Sequence, residues 1–234
     1  MSRLITTIKR WASHQILLGY SAVLHRLYTT FAWAYDLVAG LVSLGRWQKW
    51  VLAALPTIVS SPVLELGFGP GHLLEALSLK TMNVYGLDLS RQMCSLAQNR
   101  LRKSGHDPKI SRASSDAIPF ASESISTIVS TFPAPFIFTD STAKEINRVL
   151  IPEGIFVVLL SVHMNGSSLP ERFIRFIFRW ASPQQIDHHR FEVLFSAYLS
   201  VGLIPSFEVL PFGEDEMLMI KIKKSQLSNS LNLR

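Results

Sequence analysis

Apolar residues change their spacing near Pro56, and that change divides the chain. Before it they recur at helical intervals, with aromatics at Trp11, Tyr20, Tyr28, Phe31, Trp33, Tyr35, Trp47 and Trp50. This pattern predicts two or three amphipathic helices, with a bend or helix end at Gly40 and Gly45. Beyond Pro62, short apolar runs alternate with longer amphipathic stretches. Strands are predicted at Val63–Leu66, Asn83–Leu87, Ile125–Thr131, Ile155–Ser161 and Met217–Ile222, with others near Ile110 and Phe207. Helices are predicted at His72–Leu79, Arg91–Lys103, Ser141–Leu150 and Ile186–Val201.

Alternation of this kind predicts an α/β fold, a mostly parallel sheet covered by helices on both faces. The short connection before the last strand predicts an antiparallel hairpin at one edge. Four segments follow: a helical extension over residues 1–56, the α/β domain over 57–225, an insert within it over 161–185, and a polar, frayed tail over 226–234. The insert interrupts the alternation. Its Arg172, Arg175 and Arg179 fall three and four apart on one helical face, among Phe173, Ile174, Phe176, Ile177, Phe178 and Trp180.

Composition adds a bias and removes some chemistry. Hydrophobic residues make up 48% and charged residues 17%, and the formal net charge is +6. A basic, apolar-rich chain favours anionic surfaces. Its basic residues are scattered and its aromatics lie in apolar runs, so nucleic acid is not an expected partner. A peripheral contact with an anionic membrane is, through the basic N-terminus and the arginine-rich insert. The weakly charged stretch from Arg26 to Arg46 has Asp36 in its middle, which argues against a spanning helix. The single cysteine, Cys94, excludes an internal disulfide and a cysteine-built metal centre. No metal is expected, and a reducing, cytoplasmic setting fits.

The chemistry gathers around VLELGFGPGH. Gly67, Gly69 and Gly71 follow the first predicted strand directly. Gly67 suits a sharp turn; Gly69 and Gly71 remove side chains where backbone must approach a ligand. A dinucleotide fingerprint needs a small residue where His72 stands, and a phosphate loop needs a lysine that is missing. Glu65, just before the loop, would repel pyrophosphate, yet it can orient the loop or accept from a cationic ligand. Asp88 ends the second strand, where a carboxylate can hold both hydroxyls of a ribose. Asp116 follows the third and could accept from an exocyclic amino group. Three acids at successive strand ends describe a site for a cationic nucleoside without phosphate.

These segments resemble class I S-adenosylmethionine-dependent methyltransferases of the methyltransferase-domain-11 type, related to ubiquinone and menaquinone biosynthesis methyltransferases. ELGFGPG, GLDLSRQMCSLA, SDAIPF and EINRVLIPEGIFVVL match that family's motifs in order from Val63 to Leu160, with Glu153 where the family has glycine. The resemblance implies a Rossmann-like seven-stranded sheet and S-adenosylmethionine as cofactor. It implies that Gly67, Gly69 and Gly71 approach the amino acid part, that Asp88 takes the ribose, and that Asp116 with the backbone of Ala117 reads adenine. It implies further that Leu89 and Met93 pack on the base and that Thr131 lines the methionine end. The stretch YTTFAWAYD resembles a lid helix, with Tyr28 and Tyr35 as site residues. His163, after the fifth strand, is the candidate base if the acceptor must lose a proton. The expected acceptor is a small hydrophobic molecule, such as a quinone precursor or lipid. A nicotinamide-dependent oxidoreductase and a non-catalytic cofactor-binding scaffold are the rival functions.

Overall fold

The computed structural model describes residues 40–41, 43–58, 60–80, 83–107, 109–166, 168 and 188–225. Tyr28, Tyr35, Arg172, Arg175, Arg179 and the tail lie outside them, as do most of the extension and the insert.

Seven strands form one sheet: β1 (Val63–Leu66), β2 (Val84–Asp88), β3 (Ile110–Arg112), β4 (Ile125–Thr131), β5 (Leu150–His163), β6 (Leu203–Phe212) and β7 (Asp215–Lys224). Their spatial order is β3-β2-β1-β4-β5-β7-β6. The first five run parallel, and β7 pairs antiparallel with both β5 and β6. The expected edge hairpin is present, with β6 outermost. The chain goes from β1 outward to β2 and β3, then returns to β4 on the other side of β1. That reversal places a crevice at the carboxyl ends of β1 and β4.

The helices are α1 (Trp47–Leu52), α2 (His72–Ser78), α3 (Arg91–Lys103), α4 (Asp140–Val149), α5 (His188–Leu194) and α6 (Ser196–Ser200). One sheet face packs under α1, α2 and α3 through Trp50, Val51, Leu73, Leu77, Ala97, Leu101, Val129, Met217 and Met219. Buried Met93, Ala97 and Leu101 sit four apart along α3, the spacing that puts one stripe inward. The other face packs under α4, α5 and α6 through Ile128, Ile146, Val149, Phe156, Phe195 and Tyr198. The Tyr198 hydroxyl is buried and donates to the Ile137 carbonyl at 2.6 Å.

Two expectations need correction. The single helix over Ile186–Val201 is broken at Phe195, which adopts φ −104°, ψ 14°. Phe195 packs on Phe138, Phe191 and Tyr198, and the break lets both short helices keep aromatics inward. The fifth strand is twice as long as expected, because the turn before Ile155 joins it irregularly to β4. In that turn Glu153 has φ +63°, and a Cβ on Gly154 would lie 2.8 Å from the Ile151 carbonyl oxygen. The departure from the family's glycine pair therefore falls where a side chain is strained but fits. Glu153→Gly is expected to raise stability by about 0.5–1 kcal/mol, read by urea denaturation.

Candidate functional site

The loop after β1 is built on three left-handed glycines, Gly67 (φ +68°), Gly69 (+54°) and Gly71 (+83°). They do different work. A Cβ on Gly67 would touch the Phe136 ring at 3.3 Å. A Cβ on Gly71 would lie 2.8 Å from the Ala97 Cβ. Gly71 thus lets the loop and α3 approach closely. Only Gly69 faces open space, with nothing within 4 Å of its Cβ position. Between them Phe68 turns into the core.

Asp88 fastens this loop to the end of β2. Its Oδ2 accepts from Gly69 N–H at 3.0 Å and its Oδ1 from Ser90 N–H at 2.8 Å. Ser90 caps α3 by accepting from Met93 N–H at 3.3 Å, as expected of a helix N-cap. Burial pushes the Asp88 carboxyl above its ordinary range, while these N–H groups pull it back. Each carboxylate oxygen has two acceptor sites, so Asp88 retains capacity for a ligand hydroxyl.

Glu65 lies beneath, 1% exposed. It accepts from Leu74 N–H in the first turn of α2, while its Oε2 is buried without a hydrogen-bond partner. Burial first, and the neighbouring Asp88 charge second, raise its carboxyl well above the ordinary range. Its contact is with the helix that follows the loop, so any effect on a ligand is electrostatic. The native state binds this proton more tightly than the unfolded chain does. Stability therefore falls as pH rises from the ordinary carboxylate range through the raised value. Glu65→Gln is expected to flatten part of that fall, seen by comparing denaturation midpoints at about pH 5 and pH 8.

Asp116 stands after β3 and is exposed. Its Oδ1 accepts from Ser141 Oγ at 2.8 Å and from Thr142 Oγ1 at 3.3 Å, at the start of α4. The Ala117 N–H is turned inward onto the Ser114 carbonyl at 3.2 Å. Leu89 is 65% exposed beside Asp88 and offers free apolar surface. Met93 is 0% exposed, packed on the inner stripe of α3. Thr131 is half-buried at the end of β4. His163 is exposed at the end of β5, opposite Glu216. Burial, with Asp88 second, pushes the Cys94 thiol up to about 11, which fits a packed residue and not a nucleophile. Among the described residues no three His, Cys, Asp or Glu side chains gather as a metal site.

Two side chains in the matched motifs brace the site from behind. Arg148 donates to the Phe120 carbonyl at 2.7 Å and the Ile118 carbonyl at 2.8 Å. Glu145 accepts from Ile118 N–H at 2.7 Å and pairs with Arg148 at 2.7 Å. Together they pin the segment after Asp116. The sequence signal was their three-residue spacing on one helix, which does not reveal a loop 28 residues upstream.

Residues 64–158 match the family model described as a methyltransferase domain. Over 139 residues the chain is 32% identical to the demethylmenaquinone methyltransferase of Lactobacillus johnsonii, covering 56% of this chain and 57% of that one. It is 29% identical over 139 residues to the ubiquinone/menaquinone biosynthesis C-methyltransferase UbiE of Syntrophotalea carbinolica, covering 57% and 59%. The chain thus spans less than two thirds of the length of these relatives. Among solved structures, a SAM-dependent methyltransferase from Thermotoga maritima superposes with a TM-score of 0.56 at 17% identity, covering 86% of this chain and 99% of that one.

Proposed function

We propose, from the premise that residues 64–158 carry a methyltransferase domain, that the chain transfers a methyl group from S-adenosylmethionine to a small, apolar acceptor. The observation that carries this reading is the acidic setting of the glycine loop. Glu65 with its orphaned oxygen, and Asp88 bound to Gly69, surround the loop with carboxylates. Asp88 at the end of β2 is placed to take a ribose, and the loop carries no lysine to hold a phosphate. His72, where a dinucleotide fingerprint needs a small residue, speaks against a nicotinamide cofactor.

What the bound cofactor supplies is an electrophilic methyl group on a sulfonium. The chain's own part is alignment and exclusion of water. Asp88 accepts from the ribose with its remaining lone pairs. Asp116 reads the exocyclic amino group of adenine, and Leu89 covers the base. Gly69 leaves room for the amino acid part, and Thr131 borders the methionine end. His163 takes the proton if the acceptor must lose one. Residues 1–56, with Tyr28 and Tyr35, act as a lid over the 57–225 domain. The 161–185 insert caps the acceptor or touches an anionic membrane surface.

An apolar acceptor, such as a quinone precursor or lipid, is supported by the names of the two curated relatives. Among the described residues no helix is long and apolar enough to cross a membrane. The test is calorimetric titration of the full chain with S-adenosylhomocysteine. Saturable binding at micromolar concentration is expected. A folded chain that gives no heat with this ligand, but quenches NADH fluorescence, would move the assignment to the oxidoreductase.

A further inference from the structure

We propose that a groove between α1 and the β6–β7 hairpin is a second binding site, and that it takes a free single-chain amphiphile with an anionic head, a medium- or long-chain carboxylate. The groove has a volume of about 460 Å³, within the size class of small-molecule sites. None of its lining residues belongs to the glycine loop or to the ends of β1, β2 or β4, so its occupancy does not depend on the methyl-transfer reading.

Helical spacing builds the first wall. Lys49, Leu52, Ala53 and Pro56 share one side of α1 and of the 3-10 turn Leu55–Thr57 that follows it. The opposite side, with Trp50, Val51 and Ala54, is buried in the core. The second wall is Leu210 and Phe212 of β6, both half-buried. The floor is Met217 and Met219 of β7, 2% and 1% exposed. Leu210 stands opposite Met217 in the strand register. A recessed trough of this kind fits a single chain laid into it better than the flat face of a bilayer. Methionine side chains are unbranched and adaptable, so the floor can mould to a flexible alkyl chain.

The charge of the lining identifies the head group. Lys49 is the one charged side chain among the residues that line the groove, and it is exposed. Among the described residues no ion pair engages it. The neighbouring acids are already engaged. Asp215, at the start of β7, accepts from Arg46 Nη1 at 3.1 Å and from Trp50 Nε1 at 2.9 Å. Glu208, opposite Met219, pairs with Lys221 at 2.8 Å. The Thr57 hydroxyl donates to the Ala54 carbonyl at 2.6 Å. An ammonium at the rim of an apolar trough is complementary to a carboxylate followed by a tail, and it repels a cationic head on the same tail.

The probes are octanoate, decanoate and decyltrimethylammonium, kept monomeric in about 0.15 M salt so that distant charges are screened. They are titrated by NMR into the full chain with isotope-labelled methionine methyl groups. Decanoate is expected to shift the Met217 and Met219 signals saturably. Octanoate is expected to bind about fourfold to tenfold more weakly, the effect of two methylenes in a half-open site. Decyltrimethylammonium is expected to bind about tenfold more weakly than decanoate, and Lys49→Gln to bring the two within about twofold. Ala53→Phe fills the trough and is expected to abolish the shifts. Lys49 is exposed, so its variant tests the proposal even where Ala53→Phe does not fold. Met217 and Met219 signals that ignore decanoate, or an anion preference that survives Lys49→Gln, would overturn the proposal. Signals that move only with phosphatidylglycerol vesicles would overturn it too, by making this face a membrane surface.

Discussion

Alanine at position 88 is expected to weaken S-adenosylhomocysteine binding at least about a hundredfold, because Asp88 builds the glycine loop and, in the proposed site, takes the ribose. The side chain accepts from the N–H groups of Gly69 and Ser90. Charge-assisted bonds of this kind are each worth about 1.5–3 kcal/mol, and their loss frees both the loop and the start of α3. In the proposed site the ribose hydroxyls lose their acceptor in the same step. Every 1.4 kcal/mol is about tenfold in affinity, so even the lower end of this sum reaches two orders of magnitude. Asp88→Asn should lose nearly as much. The amide has one acceptor oxygen, and its NH₂ would face the N–H of Gly69 or Ser90. Calorimetry on both variants measures the effect. Near-wild-type affinity in Asp88→Ala would mean that the nucleoside does not lie on this carboxylate.

The second large effect separates two glycines two positions apart. Gly71→Ala should destabilise the fold by about 2–5 kcal/mol. About 1–2 of this comes from placing a side chain at φ +83°, and the rest from a Cβ pressed to 2.8 Å of the Ala97 Cβ. Neither partner can move cheaply, because Ala97 is fully buried in α3. Gly69→Ala has the same backbone problem but open space around its Cβ. It should cost only about 1–2 kcal/mol in stability and still fold. In the proposed site its methyl group would occupy the room of the cofactor's amino acid part, so affinity for S-adenosylhomocysteine should fall by about tenfold or more. Urea denaturation and calorimetry on the two variants give opposite rankings if this division is right. The same ranking in both measurements would show that the loop acts as one structural unit.

Much of the architecture was legible because the apolar residues keep a strict period. The central strands Val63–Leu66 and Ile125–Thr131 and the helix Arg91–Lys103 were predicted to the residue. All three are long or apolar enough for burial to override local preference. The break at Phe195 was hidden, since Phe191, Phe195 and Tyr198 continue a helical spacing through it. Only packing against Phe138 reveals that the backbone must turn. The site divided in the same way. Glycines and acids at strand ends could be read from spacing alone. The role of Gly71 could not, because Ala97 lies 26 residues away and is an ordinary helix residue in sequence. Met93 is ambiguous for the converse reason: a helix-start methionine reads equally as core or contact, and its full burial is visible only in three dimensions. Glu65 could be flagged as unusual, but its orphaned oxygen exists only in three dimensions. The half of the reading that concerned Tyr28, Tyr35 and the arginine-rich insert falls outside the described residues.

The position of β7 has a consequence for how the chain is made. Residues 215–224 pair on one side with β5 and on the other with β6. A ribosome therefore delivers β5 with one edge unpaired, and then β6 with no neighbour at all. Both wait until the stretch that joins them has emerged. During that interval Phe156, Val158 and Leu159, along with the apolar face of β6, are shielded by no neighbouring strand on that side. A nascent chain stalled before residue 215 should be a good client for a chaperone, and a release of ten more residues should end that need.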